Sequence, residues 1–425
     1  MGLNDSAWET LFEKYRILDE IEHKGKFIIT ASQIKEFREP RLMTKFDHAV
    51  NLPALFAGHH LSILPISGNS YVISHFKAYH QFDDVAAGMK RVSLPGYIQS
   101  MQDNVVSESI ALNCAIAAGI IADFLEDDGL LATVSGKMGS GIFDFQIENI
   151  SGGVPFQFKV NNARIEIDAA YEGVKYLSLF EAKRDLSEDF LVRQLYYPYR
   201  TWSSRVTKRV KPVFLIYSNG IFHLYEYRFE DVLNYNSLTL VKQKNYAISA
   251  DISLREIENI LNEVPLVEEP DISFPQANSM ARLINLVELL YEKPMTKQEI
   301  TAEYAFDERQ TNYYADAGRY LELIEKGQDD KHNVIFRLSP KGYLLMGLNY
   351  KERQLAIATQ ILKHKVFHET LKICLRCGDM PDSAKIVEIM KRSNLFQVEA
   401  ESTYARRAST ITGWIRWILS LIEEA

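Results

Sequence analysis

The sequence predicts an α/β protein: a core of strands and helices between an N-terminal α+β extension and a C-terminal helical region. Three observations carry the prediction. Residues 163–183 alternate apolar and polar side chains on both sides of a short turn, the pattern of a β-hairpin. An apolar stretch, Ile110 to Leu125, precedes it and reads as a buried helix beginning near Ser107 and ending at Asp127-Asp128-Gly129. A basic, aromatic helix follows it and leads into two strands, 212–218 and 221–227, joined by Asn219-Gly220, a strong hairpin signal.

The hairpin carries the chemistry. Its arms are Ala163 to Ala169 and Lys175 to Lys183, with a turn at Tyr171-Glu172-Gly173 in which Gly173 supplies a positive φ. Alternate strand residues share a face, so Glu166 goes with Asp168 and Glu181 with Lys183. Pairing the arms brings Asp168 toward Glu181 and Lys183. Two close carboxylates repel unless one is protonated or a cation lies between them. A hard ion such as Mg²⁺ suits oxygen ligands and keeps several waters. A lysine two residues from the second carboxylate is placed to orient or deprotonate a bound water, or to stabilise charge on a phosphate. These are the parts of metal-assisted phosphodiester hydrolysis. The plain alternative is a solvated strand end with a salt bridge.

Asp168 followed across a hairpin by Glu181-Ala182-Lys183 resembles the Asp…(Asp/Glu)-x-Lys signature of the PD-(D/E)xK nuclease superfamily, with Ile167 where a proline often stands. The resemblance spans about residues 105–230. It implies an α/β/α restriction-endonuclease-like core in which Asp168, Glu181 and the Ala182 carbonyl bind Mg²⁺ and Lys183 positions the attacking water. It also implies roles for Glu108, on the helix before the hairpin, and for Gln194, on the helix after it. The nearest resemblance is to type II restriction endonucleases. That implies site-specific cleavage of double-stranded DNA to leave 5′-phosphates, a homodimer that cuts both strands, and a cognate DNA methyltransferase acting on the same site. A repair or modification-dependent nuclease of the same fold, or a non-catalytic DNA-binding regulator, stays open.

The flanks add detail. Glu108 either faces the site or complements the helix dipole. Gly136 to Phe145 reads as a glycine-rich turn feeding a strand, or as backbone that approaches a phosphate. Ser187-Glu188-Asp189 reads as the cap of a helix through Leu195 and Tyr196. From Arg193 to Lys211 no acid occurs, while Arg193, Arg200, Arg205, Lys208 and Arg209 alternate with Tyr196, Tyr197, Tyr199 and Trp202. Such mixing suits a sugar-phosphate backbone.

The rest of the chain is divided by composition. Its 425 residues predict several domains, and a net charge of −8 excludes indiscriminate nucleic-acid binding but not a local basic groove. Three cysteines, no signal peptide and no apolar run of membrane length lead to the expectation of a cytoplasmic protein without a membrane partner. Residues 1–90 form an accessory region with an amphipathic helix 8–21, a Ser-capped helix start at 31–35, a charged connector or DNA arm at 38–47, and strands at 61–66 and 70–73. Residues 91–263 are the catalytic domain and 264–279, with three prolines and an acidic cluster, a linker. Residues 280–348 resemble a winged helix: three helices, one with a Thr296/Glu299 capping box and one starting at Phe306-Asp307, then a β-wing. The third helix would carry Arg309, Gln310, Asn312 and Tyr313 to DNA, or the module would bind protein. Residues 349–425 form a second helical domain, winged-helix-like if Arg406 and Arg407 lie on a recognition helix, with Trp414 and Trp417 in its core. His364, His368, Cys374 and Cys377 are spaced either for zinc or as one face of a helix.

Overall fold

The computed structural model of the protein describes residues 3–83, 88–98, 100–101, 107–248, 252–303, 308–329 and 332–422. The chain forms two compact units. The first holds Met1–Lys90, Ser107–Tyr217 and Phe222–Tyr246, and the second Arg91–Val106, Ser218–Ile221 and Ala247–Ala425.

In the first unit the N-terminal helix is two helices, Leu3–Tyr15 and Ile17–Lys24, broken where Arg16 turns left-handed (φ 49°). The break lets Trp8, Leu11 and Phe12 of one helix and Ile17 and Ile21 of the other share a core with Phe56. Thr30, not Ser32, caps the next helix, in a capping box with Gln33. The connector contains a short helix, Pro40–Thr44, with its proline in the first turn, where no N–H is needed. Strands Phe27–Thr30, Ser70–Ser74 and Ser62–Pro65 form a small antiparallel sheet with Ser70–Ser74 in the middle.

The principal sheet has seven strands: β1 (Met89–Val92), β2 (Leu131–Gly139), β3 (Arg164–Glu172), β4 (Tyr176–Lys183), β5 (Arg209–Ser218), β6 (Ile221–Phe229) and β7 (Leu238–Ile248), in the order β1-β7-β6-β5-β4-β3-β2. Strands β2, β3 and β4 pair antiparallel, while β4 and β5 run parallel, the connection between them containing helix α2 (Arg193–Ser203). Helix α1 (Glu108–Ala117) is capped by Ser107 and ends early. Gly119 (φ 73°) separates it from Ile120–Leu125, so the expected single helix is two. Between β2 and β3 a hairpin, Ile142–Ile147 with Phe156–Asn161, forms its own sheet. The turn into it is Ser140-Gly141, and Gly136 (φ 93°) lies within β2 beside a register shift. Asn219 (φ 52°) and Gly220 (φ 75°) both have the positive φ of a type I′ hairpin, as their sequence predicts.

Two expectations at the hairpin are corrected. The β3–β4 turn is residues 173–175, and Gly173 does not have positive φ. It is needed for space, since a Cβ there would stand 2.3 Å from Asp127 Oδ2. That carboxylate accepts from the Lys175 and Tyr176 amides at 3.0–3.1 Å. Residues 189–191 are a short strand paired with Tyr79–Gln81, not a helix start, and α2 begins at Arg193 without a side-chain cap.

The second unit contains Met280–Glu292, Met295–Thr296, Lys297–Glu303, Glu308–Tyr320, Ile324–Gln328 and Val334–Leu338. The three strands form an antiparallel sheet with Val334–Leu338 central. The Thr296/Glu299 capping box is present, and the expected helix start at Phe306-Asp307 lies outside the described residues. After Leu338 come helices Pro340–Met346, Tyr350–Leu362, Lys365–Cys377, Ser383–Lys391 and Glu401–Ser420, with no strand among the described residues, so no second wing is present. Trp414 is buried and donates to the Ala277 carbonyl at 2.7 Å, whereas Trp417 is only partly buried. Residues 264–279 are not a free linker. Phe274 stacks on Phe367, and Glu269 accepts from Tyr320 Oη at 2.6 Å, because their apolar and acidic side chains find partners in the helical core. No helix among the described residues is long and apolar enough to cross a membrane.

Candidate active site

The end of the β3–β4 pair holds the predicted residues together. Regular pairing ends at Phe180↔Ala169, and beyond it the Asp168 carboxylate takes the Ala182 N–H at 2.8 Å. Glu181 is buried, at 8 % exposure. Its Oε1 accepts from Lys183 Nζ at 2.5 Å and from Gln194 Nε2 at 2.7 Å. Helix α2 thus delivers Gln194 to the strand that carries Glu181. Gln194 Oε1 is itself buried without a protein donor. Beside it, among Glu166, Glu181, Gln194 and Pro198, is a cavity with room for about one water.

Charge in the site is unbalanced. Burial pushes the Glu181 carboxyl up to about 8, with Asp168 and Asp47 adding to the rise and Lys183 opposing it. Burial also raises Asp168, against the Lys183 ammonium and the Ala182 N–H. Glu108 is raised by burial and by Asp168 and Asp185, so this side chain reaches the field of the site from the first turn of α1. For Lys183 burial works against the charge, but Glu181, Asp47, Glu108 and Asp168 outweigh it and hold the lysine well above its usual range.

Sequence reading missed a second group. Asp47 and His48 come from the connector of the N-terminal region. His48 is 2 % exposed; its Nε2 stands 2.8 Å from Asp185 Oδ2, and its Nδ1 contacts the Asp189 carbonyl at 2.6 Å. Burial lowers the imidazole, but Asp185 and Asp189 raise it to about 10, so it is charged at neutral pH. No local signal could have placed it, since its partners are about 140 residues away.

The basic run after the hairpin is largely engaged within the fold. Arg193 donates to the Arg164 carbonyl and lies over Tyr197. Arg200 donates to Asp144 O and Tyr196 Oη and lies over Phe143. Arg205 is exposed over Trp202, Lys208 pairs with Glu172 at 2.7 Å, and Arg209 is exposed. Lys211 is buried against Glu226 at 3.1 Å. In the second unit Arg309 and Asn312 are exposed, Gln310 and Tyr313 half-buried. Arg406 is exposed, while Arg407 donates to Gln276 at 2.8 Å. His364 stacks on Tyr320 at 4.1 Å and His368 contacts the Leu261 carbonyl at 2.8 Å. Cys374 is buried and Cys377 exposed on the same helix.

The donor chemistry at the hairpin fits a hard divalent cation: two carboxylates whose pKa values burial and neighbouring acids raise, next to the Ala182 main chain. Among the described residues no three His, Cys, Asp or Glu side chains converge to hold an ion alone. Binding would therefore rely on two carboxylates, a carbonyl and waters, a set Mg²⁺ accepts.

Residues 5–73, 74–247 and 282–423 match three domain families, each described as a domain of unknown function (DUF6996, DUF6997 and DUF7226). The second takes in Asp168, Glu181, Lys183 and Gln194, and the first takes in Asp47 and His48. No curated protein and no solved structure matches the chain.

Proposed function

We propose that the protein is a metal-dependent DNA endonuclease with a PD-(D/E)xK-type centre, acting on double-stranded DNA and leaving 5′-phosphates. The observation that carries the reading is the meeting of Asp168, Glu181 and Lys183 at the end of β3–β4, with α2 bringing Gln194 onto Glu181. The order helix, three antiparallel strands, helix, parallel strand agrees with it.

The chain's own groups divide the work. The Ala182 N–H fixes the Asp168 carboxylate, and Gln194 and Lys183 fix that of Glu181. Lys183, its ammonium bonded to Glu181, is placed to orient a water or to meet a phosphate oxygen. Mg²⁺ held by Asp168, Glu181 and the Ala182 carbonyl would supply a more acidic water and charge neutralisation. The second unit's helix–strand–helix–helix–strand–strand order is that of a winged helix, and Arg309 and Asn312 on its third helix are exposed for DNA contact. Cutting both strands calls for two such centres, hence a homodimer. A type II enzyme would be tolerated in a cell only beside a methyltransferase protecting its sites.

The test is cleavage of unmethylated phage DNA with Mg²⁺ or with EDTA, by wild type, Asp168→Asn and Lys183→Met. Discrete Mg²⁺-dependent fragments lost in both variants are expected. A smear would replace site specificity by a less selective nuclease. Duplex binding without cleavage of either unmodified or methylated DNA would leave a DNA-binding regulator instead.

A further inference from the structure

We infer that the exposed face of the last helix, Glu401–Ser420, is a phosphate-binding surface that holds the backbone of duplex DNA through Arg406, Arg407 and Arg416. The inference rests on the DNA-binding part of the reading above and not on cleavage.

This helix differs in charge from the chain around it. The protein has 56 acidic residues against 48 basic ones, yet from Ser402 to Ile422 there are three arginines and no acid. Glu401, in the first turn, is occupied by Lys391. At about 100° per residue, Ser402, Arg406, Ser409 and Arg416 fall within an arc of about 80°. All four are exposed. Arg406 and Arg416 stand about 15 Å apart along the helix axis, far enough to meet separate phosphates. Arginine forks and serine hydroxyls are donors suited to phosphate oxygens.

Arg407 is a second, independent observation. It stands half-buried at the border of this face. Its Nη1 donates to a neutral acceptor, Gln276 Oε1, at 2.8 Å, and its Nε is buried with no acceptor. Among the described residues no carboxylate pairs with Arg406, Arg407 or Arg416. Burial and the Arg406 charge both act against the Arg407 guanidinium and hold it below its usual range. Desolvating a charge without a partner is unfavourable. The helix field does not offset this, because it favours bases in the last turn, and Arg406 and Arg407 are the sixth and seventh residues of twenty. An anion carried by a ligand supplies the missing partner.

The face is held in place from behind. Gly413 lies so close to the segment before Met280 that a Cβ there would stand 2.2 Å from the Asn278 carbonyl oxygen. Trp414 donates to the Ala277 carbonyl at 2.7 Å, next to the Arg407–Gln276 bond. That segment leads into helix Met280–Glu292, capped by Ser279. Its apolar residues share one core with Tyr314, Ala315 and Ala317 of Glu308–Tyr320, the helix that carries Arg309 and Asn312. One core therefore fixes both basic helices.

The experiment titrates fluorescein-labelled duplexes of unrelated sequence with full-length protein in EDTA over a range of salt. Wild type is compared with Arg406→Ala/Arg416→Ala, with Arg406→Lys/Arg416→Lys, and with Lys372→Ala/Arg376→Ala, which removes the same charge from exposed positions of another helix. The alanine pair on the last helix is expected to reduce the slope of log affinity against log salt by about two units, equally on every sequence. The lysine pair should keep most of the slope while losing affinity with the fork. Arg407→Ala should remove about one unit; if it does not fold, the exposed pair still decides. The control pair should keep the wild-type slope. An unchanged slope in Arg406→Ala/Arg416→Ala, or an equal loss in the control, overturns the inference. So does a loss confined to one sequence, which would make these residues base readers. Wild type that binds polyglutamate through these arginines and no duplex overturns it too, in favour of an acidic protein partner. If wild type binds duplex through this face but cuts none, the nuclease reading falls and the inference stands. If it cuts while the arginine variants keep the full slope, only the inference falls.

Discussion

Lys183→Met turns the charge pattern of the site into a stability measurement. In the wild type Glu181 is 8 % exposed and its carboxyl rises from the ordinary 4.5 to about 8, mainly through burial. Between those values the folded protein keeps a proton that the unfolded chain has released, so folding takes up a proton. Stability then falls with rising pH, by at most about 1.4 kcal/mol per unit, and this contribution becomes flat above about pH 8, where both states are ionised. Lys183 is the charge that opposes the rise. Without it the folded carboxyl titrates above 8, and the fall continues where the wild type has levelled off.

Near pH 6 Glu181 is neutral in both proteins, and methionine replaces the ammonium stem with an apolar chain of similar reach. The electrostatic cost there falls on Asp47, whose burial the Lys183 ammonium offsets, and not on Glu181. From about pH 8 to about pH 9 the variant should lose up to about 1 kcal/mol more than the wild type. Asp168 and Glu108, also deprived of the cation, add in the same direction. Urea unfolding of both proteins at several pH values, without divalent cations, gives the difference directly, because the remaining groups are common to both. A pH-independent difference would refute the reasoning. So would a loss of about 3–5 kcal/mol already at pH 6, which would mean that Glu181 was ionised and the substitution broke a buried pair.

Three further outcomes follow from the same structure. Glu226→Gln strands Lys211, 9 % exposed and otherwise stacked on Tyr176 at 4.1 Å, and should cost about 3–5 kcal/mol in urea unfolding, most of it recovered in Lys211→Met/Glu226→Leu. Gly173→Ala puts a methyl group 2.3 Å from the Asp127 carboxylate that anchors the hairpin turn and should cost about 1–3 kcal/mol, read as a lower Tm. Arg309→Ala should reduce the slope of log affinity against log salt by about one unit on duplex DNA, with little dependence on sequence if the contact is to phosphate.

What could be read from sequence was local. Asp168 and Glu181 are brought together by one short turn, and alternation places them; the Asn219-Gly220 hairpin needs only its two residues. The errors have physical causes of the same kind. Gly173 reads from sequence as backbone freedom because the Asp127 carboxylate beside it comes from a separate loop. The basic run invites a DNA reading, and composition cannot show that Arg193 and Arg200 have carbonyls and rings within reach, or that Lys211 is sealed against Glu226. Residues 187–189 read as a helix cap, whereas pairing with Tyr79–Gln81, more than 100 residues earlier, makes 189–191 a short strand.

One sheet treats buried charge in two ways, and the contrast bears on function. On β5 and β6 Lys211 meets Glu226 one to one, with Lys242 near by at 3.7 Å. At the end of β3–β4 a single ammonium faces Asp47, Glu108, Asp168 and Glu181. Burying charge costs several kcal/mol per ion, and a matched pair recovers much of that through attraction. Four acids around one lysine cannot recover it, which is why three of the four carboxyls are pushed upward. Folding alone would be served better by apolar side chains at the same positions. A stability cost concentrated where a donor pair, a fixed lysine and a held amide converge agrees with the proposed catalytic centre.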